Sequence, residues 1–150
     1  MTCGSPIAPT RSPSRSRRAS RCRRLRPRLS LKASLSPDMV RASCHCGLIQ
    51  LEIAVAPEQV TYCNCSICRA YGALWAYYSP KQVTIHEERP TDIYMWNQRR
   101  LRFHRCPRCG CVTHWSAADA ARDRMGVNAR LMEPEILAAA DVQYYDGAKR

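Results

Sequence analysis

Residues 44–55 read CHCGLIQLEIAV and join a closely spaced cysteine pair to an alternating apolar segment. In the second half of this stretch every other residue from Ile49 to Val55 is apolar, with Gln50 and Glu52 between them. A period of two is typical of a β-strand with one buried face. The stretch therefore predicts a strand that begins just after two potential metal ligands.

Further short segments of strand-like composition follow along the chain. They are residues 73–79, 83–87, 92–97, 99–105, 111–116 and 125–132. Residues 134–140 alone predict a helix, because they begin with a proline and contain an alanine run. Short strands at this spacing are typical of a sandwich-like sheet protein. We expect an all-β domain of short antiparallel strands with a short C-terminal helix, covering residues 39–145.

The charge of the chain is unevenly distributed. Residues 1–37 hold ten Lys/Arg and no acid, whereas residues 39–150 hold fourteen Lys/Arg against eleven Asp/Glu. The net charge of +12 therefore lies mostly in the first part, which is also rich in Ser and Pro. Such a segment buries too little apolar surface to offset its chain entropy. We expect residues 1–38 to be a disordered basic tail.

Three interpretations of this tail remain open. A basic arm can bind nucleic acid through its phosphates. An Arg/Ser-rich, acid-free start can also be an organelle transit peptide, although Pro13 and Pro27 interrupt an amphipathic helix. Alternatively, the native start is Met39, and the patterned sequence beginning just after Met39 favours this interpretation.

The cysteines indicate metal binding rather than disulfides. Eight of the ten fall in tight groups, at positions 44/46, 63/65/68 and 106/109/111. Cysteines this close are poorly placed to bridge each other but well placed to share a cation. The sequence shows no apolar run of signal-peptide type and no segment of membrane-spanning length. We expect a cytoplasmic, metal-holding chain with no membrane partner, and no metal role for Cys3 and Cys22.

Two of these groups make a closed site when combined. Cys44 and Cys46 supply two thiolates, and Cys106 and Cys109 form a zinc knuckle in which Gly110 tolerates the tight backbone turn. Each half supplies only two ligands and needs the other. We expect a structural tetrathiolate zinc whose binding is coupled to folding.

The third group, Cys63, Cys65 and Cys68, has one ligand fewer than a structural zinc requires. A fourth ligand, such as Cys111 or one of the histidines His45 and His114, would close it as a second structural site. Left open, it would have the three-ligand arrangement of catalytic zinc. Spacing alone does not decide between the two.

Three cysteine blocks resemble one known family. CHCGLIQLE (44–52), CNCSICRAYG (63–72) and FHRCPRCGC (103–111) are similar to the signature blocks of the glutathione-dependent formaldehyde-activating enzymes, a family that includes centromere protein V. The resemblance implies an Mss4-like β-tent fold and two zinc ions per chain. It implies a structural zinc on Cys44, Cys46, Cys106 and Cys109, and a reactive zinc with an open position on Cys63, Cys65 and Cys68.

The activity implied by the resemblance is that of a carbon–sulfur lyase of the S-(hydroxymethyl)glutathione synthase type. Its partners would be a small thiol such as glutathione and a small aldehyde. The alternative is a non-catalytic, zinc-stabilised binding module whose basic tail binds nucleic acid. The nearly neutral charge of residues 39–150 argues against nucleic acid as a partner.

Several other polar residues are weaker candidates. His104 and His114 flank the knuckle and could act as bases, but we expect each to be an ordinary strand residue. Asn128 and Arg130 occupy alternate positions of a predicted strand and could orient a carboxylate, as could Arg69. Trp75, Tyr77 and Tyr78 are expected in the core and on the sheet faces rather than in a binding platform.

Overall fold

The computed structural model describes residues 39–149, so the predictions for the tail 1–38 lie outside the described residues. The strands are β1 (Val40–Ser43), β2 (Ile49–Ile53), β3 (Gln59–Cys63), β4 (Trp75–Tyr78), β5 (Val83–Glu87), β6 (Asp92–Tyr94), β7 (Leu101–Arg105), β8 (Val112–Ala117), β9 (Met125–Asn128) and β10 (Asp141–Tyr145). The helices are α1 (Ser66–Tyr71) and α2 (Pro134–Ala139), with 3₁₀ turns at Pro80–Gln82, Ala129–Leu131 and Gly147–Lys149. The predicted all-β class and the short C-terminal helix are confirmed.

The strands form two sheets. The small sheet has the order β1-β2-β5, and the large one has the order β10-β3-β4-β9-β8-β7-β6. All neighbours pair antiparallel except β3 and β10, which run parallel and place Tyr145 opposite Cys63. The C-terminal strand therefore reaches the end of β3, where the cysteine triplet (Cys63, Cys65 and Cys68) begins.

The main core is built from the alternation that the sequence predicts. Ile49, Leu51 and Ile53 of β2 are fully buried, while Gln50 between them is exposed. They belong to one hydrophobic cluster with Val60 and Val127 of the large sheet. Burial of each such side chain contributes about 1.5–3 kcal/mol.

A second, smaller cluster lies beside the cysteine triplet. It contains Trp75, Phe103 and Trp115 together with Cys65 and Cys68. Alternate residues of β4 divide between the two clusters, since Ala76 belongs to the main core. The large sheet thus packs a buried aromatic cluster against these cysteines.

The structure differs from the sequence prediction at several elements. β1, β3, β10 and α1 were not predicted. The predicted strand 125–132 ends at Asn128, whose side-chain Oδ1 accepts a hydrogen bond from the Arg130 backbone N–H at 3.3 Å and starts a 3₁₀ turn. Arg130 is therefore not a strand residue on the same face as Asn128.

Candidate metal centres and an adjoining cavity

Four cysteines from distant parts of the chain meet between the sheets. The Sγ atoms of Cys44, Cys46, Cys106 and Cys109 all lie within 4.8 Å of one another. The Sγ–Sγ distances are 3.7 Å for Cys44 and Cys46 and 3.6 Å for Cys46 and Cys106. A tetrahedron of sulfurs at a zinc–sulfur distance of about 2.3 Å has edges of about 3.8 Å. The donor set and its spacing therefore fit a zinc ion.

The backbone around this group is arranged for sulfur ligands. The Ile49 N–H donates to Cys44 Sγ at 3.3 Å. In the knuckle, the Gly110 N–H donates to the Cys106 carbonyl at 2.9 Å, and Gly110 has a φ of 74°, which glycine adopts without strain. Amide groups directed at sulfur stabilise thiolates, as a metal ligand requires.

Electrostatics also favour a bound cation here. Burial raises the pKa of Cys44 to about 12. At Cys109 burial acts in the same direction, but hydrogen bonds from the Cys111 and Cys46 backbone N–H groups outweigh it and lower the pKa to about 6. Four thiolates this close repel one another strongly without a positive ion among them.

The second group contains only three cysteines. Cys63 ends β3, Cys65 precedes α1, and Cys68 lies in the first turn of that helix. Their Sγ atoms lie within 4.8 Å of one another, and no fourth potential ligand atom of residues 39–149 shares that distance to all three. We call these three residues the cysteine triplet.

The environment of the triplet suits thiolate ligands. The buried indole Nε1 of Trp75 donates to Cys68 Sγ at 3.2 Å. Burial raises the pKa of Cys63 and of Cys68. At Cys65 burial is outweighed by hydrogen bonds from Cys68 and the Ile67 backbone, which lower the pKa. Three converging sulfurs are the minimum protein ligand set for zinc, so the triplet also fits this ion.

Cys111 lies with the other group. Its carbonyl accepts a hydrogen bond from the Cys106 N–H at 2.9 Å, and its side chain packs against the main core within reach of Cys109. The His45 backbone N–H favours the Cys111 thiolate, but burial and the neighbouring Cys109 raise the pKa of the thiol. Of the predicted fourth ligands, neither Cys111 nor His45 nor His114 completes the triplet.

The two central histidines are bonded within the sheet. The rings of His104 and His114 stack at a centroid distance of 4.1 Å. His104 hydrogen-bonds Thr91 at 2.7 Å and Ser116 at 2.9 Å, and His114 hydrogen-bonds Thr113 at 3.0 Å. Burial lowers the pKa of both, that of His114 to about 3. They are structural strand residues, as expected.

A cavity of about 400 Å³ opens onto the cysteine triplet. Its lining combines the three cysteines with aromatic, arginine and amide side chains; the members used below are Trp75, Tyr77, Trp96, Arg100, Phe103, Trp115, Arg122 and Tyr145. Sequence reasoning missed this role for Trp96, Arg100, Arg122 and Tyr145, and it placed Trp75 and Tyr77 in core and sheet-face positions alone. Their scattered positions carry no spacing signal that could have identified them.

The predicted carboxylate contacts lie elsewhere. Asn128 is buried and donates through Nδ2 to the Val112 carbonyl at 2.9 Å, so its role is to join β8 and β9. Arg130 and Arg69 are exposed and do not line the cavity. Tyr78 is a core residue, as predicted, and donates to the Val55 carbonyl at 3.2 Å.

No helix within residues 39–149 has the length and apolar character needed to cross a membrane.

Comparisons with known proteins agree with the fold and the cysteine pattern. A crystal structure of a Rhodobacter sphaeroides protein is 23% identical and covers 69% of this chain and 99% of its own, with a TM-score of 0.57. At this identity the likeness supports the fold alone. The curated proteins gave no match. The family model described as "Glutathione-dependent formaldehyde-activating enzyme" matches residues 39–147, which include all eight clustered cysteines. The chain therefore belongs to the glutathione-dependent formaldehyde-activating enzyme family.

Proposed function

We propose that this protein is a zinc-dependent carbon–sulfur lyase that joins a thiol such as glutathione to formaldehyde or a related small carbonyl. The observation that carries the proposal is the incomplete cysteine triplet at the wall of a cavity. A structural zinc site is closed by four protein ligands, whereas a catalytic one keeps a position for water or substrate. Family membership supports the same reaction.

The two cysteine groups have different tasks in this proposal. Cys44, Cys46, Cys106 and Cys109 would hold a structural zinc, and Cys63, Cys65 and Cys68 would hold the reactive one. A zinc ion bound to the triplet supplies Lewis-acid chemistry, lowering the pKa of a thiol or water that coordinates it.

The cavity walls suit a small thiol with carboxylate groups. The indole and phenyl rings of Trp75, Phe103 and Trp115 exclude water from the inner part. Arg100 and Arg122 stand in the same lining, which has no acidic residue, and no carboxylate of residues 39–149 pairs with either guanidinium. Guanidinium groups bind carboxylates in a bidentate manner. Glutathione carries such carboxylates in addition to its thiol.

The reaction requires little of the protein beyond positioning. The thiol sulfur bonds to the carbonyl carbon, the carbon–oxygen π pair moves to oxygen, and the product gains on that oxygen one proton for the one lost from the thiol. None of the four histidines lines the cavity. No imidazole therefore stands ready as a base in the cavity, and the main contribution of the chain is to hold the thiol near the aldehyde.

The test uses NMR to measure the rate of exchange between ¹³C-labelled formaldehyde and its glutathione adduct, with and without the protein. The zinc-loaded protein should accelerate the exchange over the spontaneous reaction, and Cys65→Ala should abolish the acceleration. Equal rates with and without the zinc-loaded protein, across a panel of thiols, would refute the proposed activity.

A second variant tests the thiol contacts. Arg122→Gln should raise the KM for glutathione roughly tenfold, the effect of losing about one charge-assisted hydrogen bond of 1.4 kcal/mol. The KM for 2-mercaptoethanol, which has no carboxylate, should stay unchanged. Equal effects on both thiols would contradict a carboxylate contact at Arg122.

A further inference from the structure

The chain after β10 passes directly over the Cys63 thiol. A methyl group built on Gly147 would stand 2.6 Å from Cys63 Sγ, closer than real Cβ atoms approach, and 3.1 Å from Cys65 Cβ. Gly147 does not have a left-handed φ, so the site needs its small size rather than its conformational freedom. The backbone at Gly147 therefore forms part of the wall of the cysteine triplet.

One side chain fastens this segment. Asn64, between Cys63 and Cys65, donates through Nδ2 to Asp146 Oδ1 at 2.9 Å and accepts at Oδ1 from the Ala148 N–H at 2.9 Å. Its backbone N–H also donates to the Tyr145 carbonyl at 3.2 Å. Asn64 thus holds the segment on both sides of Gly147. We call residues 145–149 the C-terminal strap.

The strap also contributes to the cavity. Tyr145, its first residue, lines the cavity beside Cys63, because the parallel pairing of β3 and β10 places the two residues opposite each other. At the far end, Lys149 forms an ion pair with Asp146 at 2.9 Å, but both side chains are exposed. Exposed ion pairs contribute little. Asn64 differs from Lys149 in making three hydrogen bonds to the segment, to Tyr145, Asp146 and Ala148.

We propose that Asn64 is a positioning residue that fixes the C-terminal strap, so that Gly147 backs the Cys63 thiol and Tyr145 walls the cavity. Its effect on metal binding depends only on the triplet being a metal site, while its effect on turnover rests on the proposed function. Groups that orient metal ligands in this way commonly change metal affinity by 10–100-fold when they are lost.

The test exchanges the donor and the acceptor of the Asn64–Asp146 hydrogen bond. Asn64→Asp places two carboxylates face to face and should release the strap. In the double variant Asn64→Asp/Asp146→Asn the amide at 146 donates to the carboxylate at 64, which still accepts from the Ala148 N–H. The double variant should therefore restore what the single variant loses. Glu52→Gln, which removes the charge that pairs with Arg41 and His86 on the small sheet, is the matched control.

The readout is cobalt(II) titration of the full chain, with the Cys65→Ala spectrum subtracted to isolate the triplet. Asn64→Asp should weaken cobalt binding at the triplet about tenfold or more and shift its sulfur-to-cobalt absorption. Recovery in the double variant and a wild-type spectrum for Glu52→Gln are expected. Gly147→Ala should reproduce the single-variant spectrum by steric displacement of Cys63.

Two results would overturn the inference: a wild-type cobalt spectrum and affinity in Asn64→Asp, or no recovery in the double variant. These measurements use neither thiol substrate nor aldehyde. A protein that shows the expected cobalt behaviour but gives no adduct with any thiol would refute the proposed function and still support the role of Asn64.

Discussion

Cys106 and Cys65 are both buried cysteines, but they differ in how many sulfurs surround them. Cys106 is one of four that join the turn after β1 to the turn after β7. Cys65 is one of three that lie within six consecutive residues and face a cavity. We therefore expect the loss of Cys106 to affect folding and the loss of Cys65 to affect the proposed reaction.

Cys106→Ala should unfold or strongly destabilise the protein, because metal binding at a closed site contributes directly to the free energy of folding. Cys65→Ala should lose one metal ion and the activity, with a much smaller fall in the melting temperature. Thermal melts and zinc content of both variants give the comparison. If the two variants melt alike, the division into structural and reactive sites is wrong.

His114 should make stability depend on pH. Burial lowers the pKa of His114 in the folded state from 6.5 to about 3. Between these two pH values the unfolded chain binds a proton at this side chain and the folded chain does not. The contribution of His114 to the free energy of unfolding is therefore fully present above about pH 6.5. It falls by about 1.4 kcal/mol for each unit that the pH drops towards 3. The melting temperature of His114→Gln should fall less steeply between pH 7 and pH 5 than that of the wild type.

The exposed Gln143 provides the control for this comparison, since Gln143→Asn changes no ionisable group and should leave the slope unchanged. Thiol protonation and metal loss act on all three proteins and cancel in the difference. Parallel curves for wild type and His114→Gln would show that the buried ring does not set the acid sensitivity.

Local spacing made some residues of the site predictable. Cys63, Cys65 and Cys68 fall within six positions, so the turn into α1 is enough to bring them together. Arg122, in the connection between β8 and β9, and Tyr145, at the end of β10, reach the same cavity only when the large sheet has formed. Nothing in their own neighbourhood in the sequence marks them.

At the scale of secondary structure, β8 and β9 depend on a close approach between Trp115 and Gly126. The two residues are cross-strand partners, and a methyl group on Gly126 would overlap the indole, 2.6 Å from Cε2 and 2.9 Å from Cδ1. Trp115 also lines the cavity. The glycine therefore sets the position of one cavity wall.

Gly126→Ala should destabilise the protein by about 1–3 kcal/mol, the usual cost of overpacking, and should lower activity by moving Trp115. Thermal or denaturant unfolding measures the first effect. Trp115→Phe removes the indole Nε1, the atom nearest to the new methyl group, so the double variant should regain part of the lost stability. An unchanged melting temperature for Gly126→Ala would show that the sheet adjusts without strain.

Strands were predictable where apolar and polar residues alternate clearly, and they were missed where this alternation is absent. The alternation from Ile49 to Ile53 gave β2 directly, because one face of this strand packs on the core. β10 has no buried residue, being an edge strand, so it lacks any alternation to detect. α1 spans only Ser66–Tyr71, too short for a helical period.

At the scale of the whole molecule, the two proposed metal centres should differ in how the loss of their ions affects the fold. Removal of zinc by a strong chelator should release the ion of the open triplet first, with circular dichroism unchanged. Release of the second ion, from the tetrathiolate, should coincide with unfolding. The test follows zinc release with a zinc-sensitive dye and unfolding by circular dichroism on the same sample. A total of one ion per chain would refute the proposed pair of centres.

The parallel pairing of β3 with β10 has a consequence for the order of assembly. Asn64 and Asp146 are 82 positions apart, so the loop they close spans most of the described chain. Closing so long a loop costs entropy, and this cost delays the contact relative to nearer ones. A nascent chain whose Cys44, Cys46, Cys106 and Cys109 have already come together would still lack one wall of the cavity until the last strand docks.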